Sequence, residues 1–150
     1  MKHALGHRSG AVPPDVADRT ERTWGWEIRR PEELTRARTE LRARLVPPGL
    51  PDRAEVEDVD RLLLMFEELA SNGLRHGGAP IRVCVTETDD GWLVDVSDAR
   101  PDQPPVPAVD RDPAHGGHGL HLIARLSARY GWTVIGDRKH VWASLGRKAR

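Results

Sequence analysis

The chain has 150 residues, of which 38% are hydrophobic, and this length is enough for one domain with its own core. Its 23 basic and 23 acidic residues balance, so no strong net field favours direct binding to nucleic acid or to an anionic membrane. The single cysteine, Cys84, excludes an internal disulfide, and its Val-Cys-Val setting predicts a small buried residue. No apolar run reaches membrane-spanning length, so we expect a cytoplasmic protein.

The first half of the chain predicts a tail, a strand and two helices. Residues 1–20 mix glycine, proline, histidine and charge without periodicity, which predicts a disordered tail before a domain over 21–147, with 148–150 as a C-terminal tail. Alternation over 24–28 predicts a half-buried strand. Pro31 begins a helix that stops at Pro47. A second helix is predicted from about Arg53 to Arg75, where apolar residues recur at steps of three and four, and Gly77 ends it.

The second half predicts two hairpins separated by a long loop. Residues 81–87 and 92–97 alternate around a turn at 89–91, and residues 132–135 and 141–145 form a second hairpin around Gly136 to Lys139. The proline-rich stretch from about Ala99 to Gly116 is either a functional lid or a plain surface excursion. This layout predicts an α+β fold: a two-layer sandwich in which a mixed, mostly antiparallel sheet is covered by helices on one face.

Polar residues form a stripe at the end of the second predicted helix. Glu68, Asn72 and His76 are four residues apart each time, so they lie along one helix face. A carboxylate can polarise a water or hydroxyl, and a carboxamide oxygen can bind Mg²⁺. Solvated helix faces also carry this spacing, so the stripe alone does not define a site. Glu67 points at least a quarter turn away from Glu68 and is the better candidate for an ordinary solvated carboxylate.

Two other segments have the chemistry of a nucleotide site. The glycine-rich turn at residues 116–119 leads into a helix at Leu120, and its backbone N–H groups could bind phosphate, although such glycines can also merely permit a tight turn. Asp98 ends an apolar strand, where it could accept a hydrogen bond from an exocyclic amine such as that of adenine, or simply cap a turn. The sequence has no G-x-x-x-x-G-K-[ST] motif, so it is not a P-loop protein.

The order of these segments resembles the superfamily that gyrase, the heat-shock chaperone and histidine kinases share (GHKL). In this chain the order is a helix with E-x-x-x-N-x-x-x-H-G, a hairpin ending in Asp98, a long loop, and a G-x-G-L motif at the start of a helix. More narrowly, residues 68–77, 117–120 and 139–142 resemble the short actinobacterial anti-sigma-factor serine/threonine kinases. The resemblance covers about Trp24 to Leu145. It implies ATP and Mg²⁺ as cofactors, and a sigma factor or an anti-anti-sigma-type protein as partner. Members often form dimers, so a homodimer is an expectation.

The resemblance also implies a role for each matching residue. Glu68 would be catalytic and would orient or deprotonate a serine or threonine hydroxyl of the partner. Asn72 would hold Mg²⁺, and Asp98 would bind the adenine amine. The remaining nucleotide contacts would come from Arg75, His76, Gly117, His118, Gly119 and Leu120. Such a division of roles suits phosphoryl transfer, which needs mainly positioning and neutralised charge.

The sequence departs from the family pattern and leaves alternatives open. Residues 98–102 lack both glycines of Asp-x-Gly-x-Gly, and His140 stands where relatives often have a threonine that would contact the base. One alternative is a module that sequesters its partner without phosphotransfer. Another is a metal site formed by histidines 115, 118 and 121, two of which have a chelating spacing. A third is stand-alone ATP hydrolysis.

Overall fold

The computed structural model describes residues 22–46, 48–49, 52–102 and 125–148. The predicted N-terminal tail, most of the predicted lid, the turn at 117–120 and the three histidines 115, 118 and 121 lie outside these residues. The strands are β1 (Thr23–Ile28), β2 (Ile81–Glu87), β3 (Gly91–Asp98), β4 (Arg129–Ile135) and β5 (Arg138–Gly146). The helices are α1 (Pro31–Leu45) and α2 (Arg53–His76).

The strands form one five-stranded sheet in the order β1-β2-β3-β5-β4, and every pairing among the described strands is antiparallel. The two described helices and the inward-facing residues of the sheet form a single apolar core. The predicted α+β fold is therefore confirmed. No helix in the described ranges is both long enough and apolar enough to cross a membrane.

Helix α2 is the element on which the core is built. Its N-terminus is fixed by a capping box, in which the Asp52 side chain accepts a hydrogen bond from the backbone N–H of Ala54 and Glu55 accepts one from the N–H of Asp52. The buried face of α2 is wider than the apolar spacing of three and four residues predicted. Leu62, Met65 and Leu69 also belong to this face. All three are at most 1% exposed. Burying each such side chain contributes roughly 1.5–3 kcal/mol, so packing fixes the rotation of α2 about its axis.

A glycine inside α2 marks a close approach to the sheet. A Cβ on Gly73 would lie 3.1 Å from Cγ1 of Val96 and 3.4 Å from Cγ2 of Ile81. Glycine costs a helix interior about 1 kcal/mol relative to alanine. Here the missing side chain lets the C-terminal half of α2 lie directly on β2 and β3.

Two local predictions are wrong. Cys84 is exposed, because Val83 and Val85 point into the core and the alternation of the strand turns Cys84 to the opposite face. Arg138 and Lys139 belong to β5 and not to the turn. The turn between β4 and β5 needs only Gly136, whose φ of 64° suits glycine, and Asp137.

Glu87 joins both ends of the domain to β2. Its carboxylate accepts a hydrogen bond from Nε of Arg22 at 3.0 Å and from Nη2 of Arg147 at 2.9 Å. The hydrogen bond from Arg22 is the main cause that holds the pKa of Glu87 below its usual value. A lowered pKa means that folding favours the ionised form. The stabilisation is thus fully present above the unfolded-state pKa of about 4.3 and is lost as the pH falls through the folded-state pKa.

Glu87→Gln is therefore expected to lower the free energy of unfolding by about 1 kcal/mol at pH 7. Urea denaturation at pH 7 and at pH 3 measures the effect, and the difference from wild type should shrink at the lower pH. The control is Glu57→Gln, because the Glu57–Arg53 pair is solvent-exposed and should contribute nothing measurable. A Glu87→Gln effect that stays constant with pH would contradict this account.

Candidate functional site

A narrow cleft lies between the C-terminal half of α2 and the ends of β3 and β5. The described residues that line it are Leu69, Asn72, Gly73, His76, Gly77, Val96, Asp98, Lys139 and Val141. Its free volume is about 10 Å³, which is enough for one water molecule. A larger ligand could enter only after some of the lining side chains move outward.

Helix α2 supplies one wall of the cleft through residues three and four apart. Asn72 and His76 are half-buried, and both line the cleft together with Leu69 and Gly73. Glu68 is half-buried one turn earlier and is not among the lining residues. Arg75 is exposed and also lies outside the lining. The structure thus brings two of the four predicted α2 residues into the cleft.

Asp98 supplies the opposite wall, from the end of β3. Its side chain is 3% exposed, and Oδ1 accepts a hydrogen bond of 2.8 Å from the backbone N–H of Arg100. The backbone N–H of Ala99 donates to the carbonyl oxygen of Gly78 at 3.1 Å, which ties the end of β3 to the segment that follows α2. The carboxylate is therefore held in one position, facing the helix.

Gly77 is required by this packing. Its φ of −97° is open to any residue, so the left-handed conformation common at helix ends does not explain the glycine. A Cβ at this position would overlap the carboxyl group of Asp98. The predicted end of the helix at Gly77 is confirmed, and the close approach of Asp98 is the physical reason for a glycine at this position.

Lys139 also lines the cleft, although the sequence pattern did not predict it as a site residue. Lys139 is the register partner of Asp98, and its Nζ lies 3.5 Å from Oδ2 of Asp98, with both side chains 3% exposed. His140, which was expected near the base, lies on the other face of the sheet, where its Nδ1 is 3.0 Å from Oδ2 of Asp95. The two-residue period of a strand could have shown this, because Val141 and Lys139 must share a face.

The glycine-rich turn of residues 117–120, with Gly117, His118, Gly119 and Leu120, lies outside the described residues. Their part in a phosphate site stays a prediction. Within the described ranges there is no cluster of three or more His, Cys, Asp or Glu side chains that could hold a metal ion.

Comparison with known proteins identifies the family. A family model described as histidine kinase-like ATPase domain matches residues 29–145, from the residue that follows β1 to the penultimate residue of β5. A search of curated proteins finds no significant match to the chain. The family match includes every described residue that lines the cleft. The chain therefore belongs to the histidine kinase-like ATPase domain family.

Proposed function

We propose that the protein binds ATP with Mg²⁺ and transfers the γ-phosphate to a serine or threonine of a partner protein, as an anti-sigma-factor-like kinase. One observation carries the proposal. Asn72 and His76 from α2 and Asp98 from β3 were each selected from the sequence as nucleotide-binding residues, and they line one cleft. That cleft lies within a domain of an ATPase family.

The side chains around the cleft suit a division of roles. Asp98 is an acceptor held by the backbone, which suits binding of the exocyclic amine of adenine. Asn72 presents a carboxamide oxygen, a ligand that Mg²⁺ accepts when phosphates and water complete its coordination. The ion would bridge the phosphates and neutralise their charge. Glu68, one turn before Asn72, would orient or deprotonate the attacking hydroxyl.

The resemblance to anti-sigma-factor kinases supports the choice of a protein as phosphate acceptor. The partner would be an anti-anti-sigma-type protein, a sigma factor or both, and the protein would act in the cytoplasm, as a monomer or a homodimer. Water as acceptor would make the protein a plain ATPase. A phosphotransfer assay that measures free phosphate beside phosphorylated partner separates the two reactions.

A second candidate function is sequestration of the partner without phosphotransfer. The observation that favours it is the narrow cleft, in which Asp98 is already ion-paired with Lys139. Under this alternative, Glu68→Gln and Asn72→Ala would leave regulation of the partner unchanged. Under the kinase proposal, either substitution would impair regulation of the partner, because Glu68→Gln slows phosphotransfer and Asn72→Ala weakens nucleotide binding.

Asn72→Ala is expected to weaken Mg²⁺-dependent ADP binding by roughly 10- to 100-fold, because the ion loses its carboxamide ligand. Calorimetry with Mg²⁺ and with EDTA measures the affinity for ADP, and Asn72→Ala and wild type should differ little in EDTA. The matched control is Ser71→Ala on the neighbouring position, where the hydroxyl donates to Glu67 at 3.2 Å and lies outside the cleft lining. Unchanged Mg²⁺-dependent affinity in Asn72→Ala would overturn the role of Asn72.

A further inference from the structure

A buried ion pair stands in the cleft, and none of the roles proposed above uses its cation. Asp98 and Lys139 are opposite each other on β3 and β5, and each side chain is 3% exposed. Removing a charge from water is costly unless it is paired and hydrogen-bonded, and apolar residues of similar size would often be at least as stable here. The pair therefore calls for an explanation other than stability.

We infer that Lys139 determines base specificity: together with Asp98 it binds the edge of adenine, with Asp98 accepting from the exocyclic amine and Lys139 donating to a neighbouring ring nitrogen. Adenine presents an amine donor beside a ring-nitrogen acceptor, and one carboxamide of Asn or Gln matches such an edge with its own acceptor and donor. Asp98 and Lys139 place an acceptor and a donor 3.5 Å apart in the same way. This inference rests on the proposed function.

The contacts of Asp98 allow this arrangement. A carboxylate has about four acceptor positions, and in Asp98 Oδ1 takes the N–H of Arg100 while Oδ2 faces Lys139. Within the part of the chain that the structure describes, acceptor positions therefore stay available for an amine without breaking the ion pair. The lysine side chain has a flexible stem, so its ammonium group can shift as the cleft widens from its present volume and can still stay beside Asp98.

The same geometry predicts discrimination against guanine. Guanine carries a carbonyl oxygen where adenine carries the amine, so the Asp98 carboxylate would face an acceptor and not a donor. Two ring nitrogens, N1 and N7, lie next to the adenine amine. Analogues in which either nitrogen is replaced by C–H distinguish them.

The test is calorimetry of the full chain with Mg²⁺ and four ligands: ADP, 1-deaza-ADP, 7-deaza-ADP and GDP. Wild type should bind one deaza analogue roughly 10- to 100-fold more weakly than ADP, because it loses a hydrogen bond from a charged donor. Lys139→Met should lose a similar factor for ADP and show no further loss for that analogue. Lys148→Met makes the same change outside the cleft lining and should bind all four ligands as wild type does.

Three outcomes would overturn the inference and leave the proposed function standing. In the first, wild type binds both deaza analogues as tightly as ADP. In the second, Lys139→Met binds ADP more tightly than wild type, which would make the lysine an obstruction. GDP binding equal to ADP binding would also contradict it. If Lys139→Met fails to fold, the wild-type analogue series decides alone. Absence of ADP binding by wild type would instead overturn the proposed function itself.

Discussion

Glu68→Gln is expected to leave ATP affinity within about threefold of wild type and to slow phosphotransfer to the partner roughly 10²- to 10⁴-fold, the usual contribution of a general base. Glutamine keeps the size and polarity of the side chain and removes its basicity. Because Glu68 is not among the residues that line the cleft, base and phosphate contacts should survive the change. Calorimetry measures the affinity, and transfer of labelled γ-phosphate to candidate anti-anti-sigma proteins measures the rate.

The neighbouring carboxylate offers a matched control. Glu67 accepts a hydrogen bond from the hydroxyl of Ser71 at 3.2 Å, and its position is about 100° around the helix axis from that of Glu68. Glu67→Gln should retain both binding and transfer. Equal rates in Glu68→Gln and wild type would show that Glu68 is not the base, and equal losses in both variants would indicate a shared structural effect.

Gly77→Ala is expected to lower the free energy of unfolding by about 1–3 kcal/mol and to weaken ADP binding at least tenfold, since an overpacked site must shift. The added methyl group would occupy the position of the Asp98 carboxyl group. Asp98 cannot easily withdraw, because β5 pairs with it on one side and the N–H of Arg100 fixes Oδ1. Either the end of α2 or the carboxylate must move, and both movements open the cleft.

Gly78→Ala is the control for this prediction. A methyl group on Gly78 would meet the Cγ atom of the Arg100 side chain at 3.1 Å, and that long side chain can move aside. Only a shift of a few tenths of an ångström is needed, so the effect of Gly78→Ala on the free energy of unfolding should stay within about 0.5 kcal/mol. Urea denaturation and calorimetry on both variants give the comparison. Similar effects of the two substitutions would contradict the proposed packing of Asp98 against Gly77.

The fold could be predicted from the sequence because its local patterns agree. The alternation in each strand, the apolar spacing of α2 and the proline at the start of α1 all favour the same layout. The two-residue period of a strand does not show which face is buried when a residue and both of its sequence neighbours are apolar. Cys84, which lies between Val83 and Val85, was wrongly predicted to be buried for that reason. Local sequence patterns also do not determine the order of the strands in the sheet, because the position of β5 between β3 and β4 depends on long-range pairing.

The candidate site could be predicted only in part. The i, i+4 spacing placed Asn72 and His76 on one face, and tertiary packing then decided that both line the cleft with Asp98. Lys139 was missed because the turn was predicted two residues too long, which removed Lys139 from the strand. The sequence also could not show why residue 77 is a glycine, because the reason is a contact with Asp98, a residue 21 positions further along the chain.

Titration of the wild-type protein with ADP and ATP in the presence of Mg²⁺ tests the central claim most directly. We predict saturable binding with one nucleotide per chain, and affinity that falls when Mg²⁺ is removed by EDTA. UDP serves as a control, because uracil carries a carbonyl oxygen and not the exocyclic amine that Asp98 is proposed to bind. No detectable binding of either adenine nucleotide, with the protein shown to be folded, would contradict the assignment of this cleft as an ATP site.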